Sequence, residues 1–168
     1  MDYALITGAS GGIGYALAEA FAADGWGLLL SASHAGRLED AQAKLAERFG
    51  TPVRLFPQEL SQPGSAQALY DRIKREDFTI SALVNGAGFG LLGPAELLDI
   101  GREEAMLAVS TAALTTLTKL CLREMLERGR GYILNIASTG AFQPGPYNAG
   151  YFAGKAYVLS YTRAVRWE

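Results

Sequence analysis

The most constraining feature of this sequence is a glycine-rich segment between a short apolar run and a helical pattern. The apolar run at residues 3–6 leads directly into segment 7–14, which contains Gly8, Gly11, Gly12 and Gly14. Glycine allows sharp turns and lets a ligand approach the main chain closely. The helix that follows begins with free N–H groups and a partial positive charge, which favour a phosphate. The segment predicts a tight strand-to-helix turn, and it favours a turn that binds nucleotide phosphates.

A second glycine cluster has the same setting as the first. Four glycines lie between residues 86 and 93, directly after the apolar run at 82–84. With 20 glycines in 168 residues, the content is about 12%, against an average of about 7%. Because the excess is concentrated after apolar runs, it indicates buried parallel strands that end in tight loops.

Strand-like runs and helical patterns alternate along the chain. Strands are predicted at about 3–6, 27–32, 53–56, 81–84 and 131–136. Helices are predicted at about 12–24, 36–49, 64–75, 102–128 and from 149 to the end. The first helix is expected to turn Ile13, Leu17, Ala20 and Phe21 to the core. This alternation predicts right-handed crossovers and a single α/β domain over residues 1–168, with a doubly wound parallel sheet.

Composition excludes several classes of protein. The 15 basic and 17 acidic side chains give a net charge of −2 without a basic run, which argues against a nucleic-acid partner. A single cysteine, Cys121, and a single histidine exclude a disulfide framework and provide no metal site. We expect Cys121 to be a buried thiol. No run of 18 apolar residues and no signal-peptide pattern is present, so we expect a soluble, cytoplasmic protein without a membrane partner.

Three motifs together carry a resemblance to a known family. Thr7, Gly8, Gly12 and Gly14 match a T-G-x-x-x-G-x-G loop, and residues 85–88 match N-N-A-G except at Gly86. Ser138 is followed by Tyr151 and Lys155 in a Y-x-x-x-K motif. The sequence resembles the short-chain dehydrogenase/reductase family over essentially its whole length. The resemblance implies an NAD(P)-dependent oxidoreductase with a Rossmann-type sheet in the order 3-2-1-4-5, whose ligands bind in the crevice between strands 1 and 4.

The resemblance also implies catalytic roles. Tyr151 and Lys155 are four residues apart, so they lie on one helix face. A free phenol has a pKa near 10, and a nearby ammonium stabilises the phenolate, which suits Tyr151 as acid/base for a carbonyl/alcohol pair. Ser138 is expected to hydrogen-bond the same oxygen. Ser110 stands where many members carry an active-site Asn, so a proton relay there is expected to be weaker or to use an extra water.

The resemblance implies a set of cofactor-binding residues at the carboxyl ends of the strands. They are Gly8, Ser10, Gly12, Ile13, Gly14, Ser33, His34, Glu59, Leu60, Asn85, Gly86, Ala87, Gly88, Tyr151 and Lys155. Ala32 occupies the position where an acid would favour NAD. His34 and Arg37 offer positive charge, although Ser33 stands where NADP-preferring members often have Arg. NADP is therefore favoured, with NAD as the alternative.

The family continues with two further strands and a substrate-covering segment, which we expect this chain to lack. The edge strand at 132–136 would then be exposed, an apolar pairing hazard unless more chain or a partner covers it. In the family, helices corresponding to about 102–128 and 149–168 often pack against their copies, so we expect a homo-oligomer. Three hypotheses follow: a reductase or dehydrogenase of carbonyls and alcohols, a dinucleotide-binding module without turnover, or an association protein.

Overall fold

Five parallel strands form one sheet with the order β3-β2-β1-β4-β5 in a computed structural model that describes residues 1–168. The strands are β1 (Tyr3–Thr7), β2 (Gly27–Ser31), β3 (Val53–Leu55), β4 (Ile80–Asn85) and β5 (Tyr132–Asn135). The predicted doubly wound α/β fold and its strand order are confirmed. The order reverses between β1 and β4, and this reversal opens a crevice at their carboxyl ends.

Six helices accompany the sheet. They are α1 (Gly12–Ala23), α2 (Ala35–Phe49), α3 (Ser65–Arg75), α4 (Ile100–Ala108), α5 (Leu114–Arg128) and α6 (Ala149–Val165). A π-helical turn over Val109–Ala113 joins α4 and α5 into one continuous helix. The sequence predicted one long helix in this region but not the wider turn inside it, a feature that is frequent at functional sites.

Each face of the sheet carries its own apolar core. Leu5 and Leu29 point to the face covered by α3 and α5, whereas Ile6 and Leu30 point to the face covered by α1 and α2. This alternation follows from the two-residue period of a strand. Cys121 belongs to the first core at 1% exposure, which confirms it as a buried thiol, and burial raises the pKa of Cys121 to about 12.

The predicted core face of α1 is wrong for Ile13 and Ala20, which are exposed, and correct in part for Leu17 and Phe21. The helix buries Gly14, Ala18 and Ala22, while Ile13 is 62% exposed. A Cβ added to Gly14 would overlap the carbonyl oxygen of Gly8 and lie 2.7 Å from its carbon. The helix thus packs through its smallest residues because it approaches the first glycine turn so closely. Leu17 and Phe21 are only partly buried against the core.

The β5 edge and the long helix from α4 to α5 are both rich in apolar residues. On β5, Tyr132 is 69% and Leu134 is 43% exposed. By length and composition, the continuous helix from Ile100 to Arg128 is apolar enough to cross a membrane, and 44% of its most apolar window is buried. The core helix of a soluble protein has the same properties, so this single helix is weak evidence for a membrane span.

Candidate active site

An open cleft of about 1020 Å³ runs along the carboxyl ends of the strands. Most of its lining residues directly follow a strand: Gly8, Ser10, Gly12, Ile13 and Gly14 after β1; Ser33 and His34 after β2; Glu59 and Leu60 after β3; Gly86, Ala87 and Gly88 after β4; Ile136 and Ala137 after β5. Tyr151 and Lys155 of α6 complete one end. The structure therefore brings together nearly all of the residues predicted to bind the cofactor.

The two glycine turns are packed directly against each other. Gly8 has φ +71°, in the left-handed region that favours glycine. A Cβ on Gly8 would lie 2.7 Å from the Gly86 carbonyl oxygen and 2.9 Å from the Ala87 Cα. These distances leave no room for a side chain, so Gly8 is required by both its conformation and its neighbours.

Thr7 joins these two turns by hydrogen bonds. Its Oγ1 accepts the backbone N–H groups of Gly86 and Ala87, each at 3.1 Å, and donates to the Val84 carbonyl at 3.3 Å. The side chain is 1% exposed, so these bonds are shielded from water. The sequence motif included Thr7 without indicating this role, because its partners lie almost 80 residues away along the chain.

The first glycine turn fits the diphosphate of a dinucleotide. Gly11 caps α1 without a side-chain acceptor, and the N–H groups of Gly12, Ile13 and Gly14 have no partner in the chain. These residues line the cleft. Free N–H groups at the positive end of a helix are a natural site for phosphate oxygens. Because the glycines also allow a close approach to the main chain, these N–H groups can bind the phosphate oxygens of a dinucleotide.

Tyr151 and Lys155 stand together at one end of the cleft, as their spacing predicted. The Lys155 Nζ lies 5.7 Å from the centroid of the Tyr151 ring and donates a 2.6 Å hydrogen bond to the Ile136 carbonyl. Lys155 is only 8% exposed, and this burial lowers its pKa. The ring of Tyr151 packs over Gly90, where an added Cβ would lie 3.5 Å from it. The geometry fixes a phenol beside an ammonium.

Three predicted site residues do not line the cleft. Asn85 is buried within the fold, and its Nδ2 donates to Thr118 Oγ1 at 3.1 Å and Asn135 Oδ1 at 2.8 Å. Its side chain therefore ties β4 to β5 and α5. Ser110 lies buried in the π turn, where a Cβ on Gly154 would be 3.4 Å from the Ser110 Cβ.

Ser138 is the third of these residues. It follows the lining residue Ala137, is half-buried, and its Oγ accepts the N–H of Gly140 at 3.1 Å. This contact caps a short turn over Thr139–Phe142. The Ser138 hydroxyl proton remains available for another acceptor, because the hydroxyl acts only as acceptor in this bond.

Several lining residues were missed by the motifs. Phe89 and Gly90 belong to the second glycine cluster, so their position after β4 was a signal for them in the sequence. Arg102 lies in the first turn of α4 and Asn148 precedes α6, and neither belongs to a sequence motif. The Oδ1 atom of Asn148 is buried and has no hydrogen-bond partner. These residues are brought to the cleft by the tertiary fold.

The chain is similar to known proteins over nearly its full length. The sequence model of the family described as short chain dehydrogenase matches residues 2–168. A short-chain dehydrogenase from Sphingobium yanoikuyae, solved in complex with NADPH, superposes with a TM-score of 0.91 at 34% identity, covering 98% of this chain and 65% of that one. The bulky-bulky ketone specific alcohol dehydrogenase from Comamonas testosteroni superposes with a TM-score of 0.91 at 31% identity, covering 98% and 66%.

Curated relatives show the same pattern. A very-long-chain 3-oxoacyl-CoA reductase from Anas platyrhynchos is 30% identical over 99% of this chain and 54% of its own length. Sulfoacetaldehyde reductase 2 from Chromohalobacter salexigens is 32% identical over 98% of this chain and 66% of its own length. The chain thus spans about half to two thirds of the length of these relatives.

Proposed function

Because the chain belongs to the short-chain dehydrogenase family, we propose that it is an NADP-dependent oxidoreductase acting on a carbonyl compound or the corresponding secondary alcohol. The observation that carries this proposal is the Tyr151–Lys155 pair at one end of a glycine-lined cleft. When bound, the cofactor supplies the hydride, and the protein supplies placement and proton transfer.

Tyr151 is the proton donor and acceptor in this proposal. In the direction of reduction, its hydroxyl gives a proton to the substrate oxygen and is left as a phenolate, which regains a proton from solvent. The Lys155 ammonium stabilises that phenolate, and the Ile136 carbonyl holds the ammonium in place. One of the three ammonium protons is used on Ile136, so two remain for groups in the cleft.

Ser138 and Ser110 have supporting roles in the proposal. Ser138 adjoins the lining residue Ala137, so we propose that its free hydroxyl proton donates a hydrogen bond to a substrate oxygen at this border of the cleft, while the Gly140 N–H fixes the position of its Oγ. Ser110 lies against Gly154, directly before Lys155, and keeps this part of α6 close to the π turn. A Ser138→Ala variant is expected to lose part of the rate and to bind NADP as the native chain does.

The choice of NADP rests on the lining of the cleft beyond β2. His34 and Arg37 line it, and Ala32 places no acid there. The solved relative from Sphingobium yanoikuyae was crystallised with NADPH. At a concentration 100 times its Kd, a ligand stabilises the folded state by about 2.7 kcal/mol. We expect NADP(H) to raise the melting temperature more than NAD(H) does at the same concentration. Equal shifts would contradict the preference.

Tyr151→Phe is the decisive test of the enzyme hypothesis. Carbonyl reduction is expected to fall about 10²- to 10⁴-fold, the usual size of a general acid–base contribution, while NADPH binding is unchanged. Tyr161→Phe is the matched control, because Tyr161 is on the same helix and outside the cleft. Equal rates for native and Tyr151→Phe chains would refute the role of Tyr151. Cofactor binding without any turnover would favour a binding module instead.

We also propose that α5 and α6 associate with copies of themselves. The rings of Tyr157 and Tyr161 are stacked at 5.7 Å, and the Tyr157 hydroxyl lies 2.7 Å from Thr115 Oγ1 on the neighbouring helix. Tyr157 is 39% exposed and Leu126 is 61% exposed. Light scattering after gel filtration tests the proposal, with Tyr157→Lys expected to shift any oligomer towards the monomer. A native chain that is monomeric at high concentration would contradict it.

A further inference from the structure

The catalytic end of the cleft carries a guanidinium without a counter-ion. Arg102 lines the cleft together with Phe89, Gly90, Asn148 and Tyr151. Arg102 is exposed and forms no ion pair, because no carboxylate oxygen of the chain lies within 4.0 Å of its side-chain nitrogens. Its positive charge is therefore available to a molecule in the cleft.

Helix packing places Arg102 close to the catalytic pair. A Cβ on Gly150 would lie 2.6 Å from the Glu103 Oε1 and 2.9 Å from the Met106 Cε, so the first turns of α4 pack against the start of α6. Tyr151 follows Gly150 directly. The residue before Glu103 thus borders the same end of the cleft as the phenol that we propose as the acid/base.

This end of the cleft has no carboxylate to balance the charge. Its ionisable lining residues are Arg102, Tyr151 and Lys155, whereas the cleft's one acidic lining residue, Glu59, follows β3 at the opposite end. Two acids near Arg102 are otherwise placed: Asp99 accepts the backbone N–H of Arg102 at 2.8 Å, and Glu103 lies against Gly150. Among the residues that line this end of the cleft, the two charged side chains, Arg102 and Lys155, are both cations.

Stability does not account for Arg102. It occupies the first turn of α4, where the positive end of the helix disfavours a cation and favours an acid. It also has no ion pair to offset this position. Asn148 lines the same cleft, and its buried Oδ1 has no donor within the chain, so it can accept a hydrogen bond from a ligand. Unpaired polar groups that converge on one end of a cleft are typical of a ligand site.

We propose that Arg102 binds an oxyanion group of the substrate, so that the preferred substrates are carbonyl compounds carrying a carboxylate, sulfonate or phosphate. This assignment rests on the proposed function and names the substrate class of the same site. The planar guanidinium matches such groups with two parallel hydrogen bonds. The anion would also orient the substrate carbonyl towards Tyr151.

Matched ketones test the assignment. With NADPH in excess, the reduction of 4-oxopentanoate, its methyl ester and (3-oxobutyl)phosphonate is compared for the native chain, Arg102→Gln and the control Arg123→Gln. Arg123 is an exposed arginine on α5, outside the cleft. The native chain and the control are expected to prefer at least one anion over the ester by about tenfold or more in kcat/KM. The better of the two anions shows whether the site prefers a carboxylate or a phosphonate.

In Arg102→Gln the preference is expected to disappear through a higher KM for the anion, with the ester unaffected. A native chain without preference, or an Arg102→Gln variant that loses both substrates equally, would overturn the assignment. If no ketone is reduced, calorimetry of 4-oxopentanoate and the phosphonate with the NADPH complex decides. If an anion binds to the native chain and not to Arg102→Gln, the result would support the binding site and count against the proposed reductase function. No anion binding would overturn the site.

Discussion

The two ends of the sheet differ in how some of their polar side chains are paired. At the amino ends of the strands, Glu124 of α5 accepts hydrogen bonds from Tyr70, from Lys74 at 3.0 Å and from Arg128 at 3.1 Å. Arg128 also donates to the Ile80 carbonyl at 2.8 Å. At the carboxyl ends, Arg102 has no ion pair and Asn148 has an unpaired Oδ1.

The difference separates structure from function within one fold. Where charges are paired with one another, as around Glu124, they fix α3 against α5. Where polar groups that line the cleft lack partners within the chain, they fit the ligand-binding role that we propose for this end. The same contrast predicts that substitutions at the amino ends change stability alone, whereas substitutions at the carboxyl ends also change ligand binding or activity.

Gly14→Ala is expected to have the largest effect, because it breaks the packing that shapes the cleft. The new Cβ would overlap the Gly8 carbonyl, so the free energy of unfolding should fall by about 3 kcal/mol and NADP binding should weaken. Urea unfolding and cofactor titration measure both. Gly36→Ala in α2 is the control, because nothing lies within 4 Å of its added Cβ. Equal stability of the two variants would contradict the crowded geometry.

Glu124→Gln tests the amino end. Removing this charge leaves Lys74 and Arg128 without their shared partner, so the free energy of unfolding should fall by about 2 kcal/mol, with NADP binding unchanged. Glu127→Gln on the same helix is the control, since its pair with Arg123 is long (3.6 Å) and exposed. That control should change stability by less than about 0.5 kcal/mol. A Glu124→Gln variant as stable as the control would remove the contrast.

Lys155→Met is expected to act in the opposite direction. Burial of the ammonium costs desolvation and lowers its pKa, so an apolar side chain of similar length should raise the free energy of unfolding by about 1 kcal/mol. The Ile136 carbonyl loses its partner, which limits the gain. Reductase activity should be lost. A clear loss of stability would instead place Lys155 with Glu124 among the structural charges.

The smallest expected effect is the pH dependence of the Glu124 cluster. Burial alone would raise the pKa of Glu124, but hydrogen bonds from Tyr70, Lys74 and Arg128 outweigh it and hold that pKa below its usual range. The stabilisation is complete above the unfolded pKa and is lost as the pH falls through the lowered folded pKa. The stability difference between native and Glu124→Gln chains should therefore shrink below about pH 4.5. A constant difference would argue against the ionised carboxylate.

The sequence predicted the parts of this molecule that depend on local backbone geometry. Gly8 and Gly14 indicate a turn in which there is no room for a Cβ. The four-residue spacing of Tyr151 and Lys155 predicts that both lie on one face of a helix. Alternating apolar runs predicted a parallel α/β sheet through general rules of chain connection, and the family resemblance implied its strand order. These features need only neighbouring residues or simple topology to be inferred.

The parts that depend on distant partners were not predictable. Asn85 matches a cofactor motif, yet its amide bonds Thr118 and Asn135, which lie 33 and 50 residues away. Arg102 reaches the cleft because α4 packs on α6, which no local pattern encodes. The core face of α1 was wrong in part, because the close approach of the helix to the glycine turn buries Gly14, Ala18 and Ala22 and leaves Ile13 exposed.

The π-helical turn at Val109–Ala113 has a consequence for how such a chain can diverge. A helix turns by about 100° per residue, so a widened turn acts as one added residue that rotates α4 relative to α5. Leu117, Cys121 and Met125 anchor α5 in the core. A one-codon deletion within this turn would therefore re-aim Arg102 without moving the sheet. A change of length in this turn would thus alter the orientation of Arg102 towards the cleft, whereas the turn that contains Gly8 and Gly14 leaves no room for a Cβ.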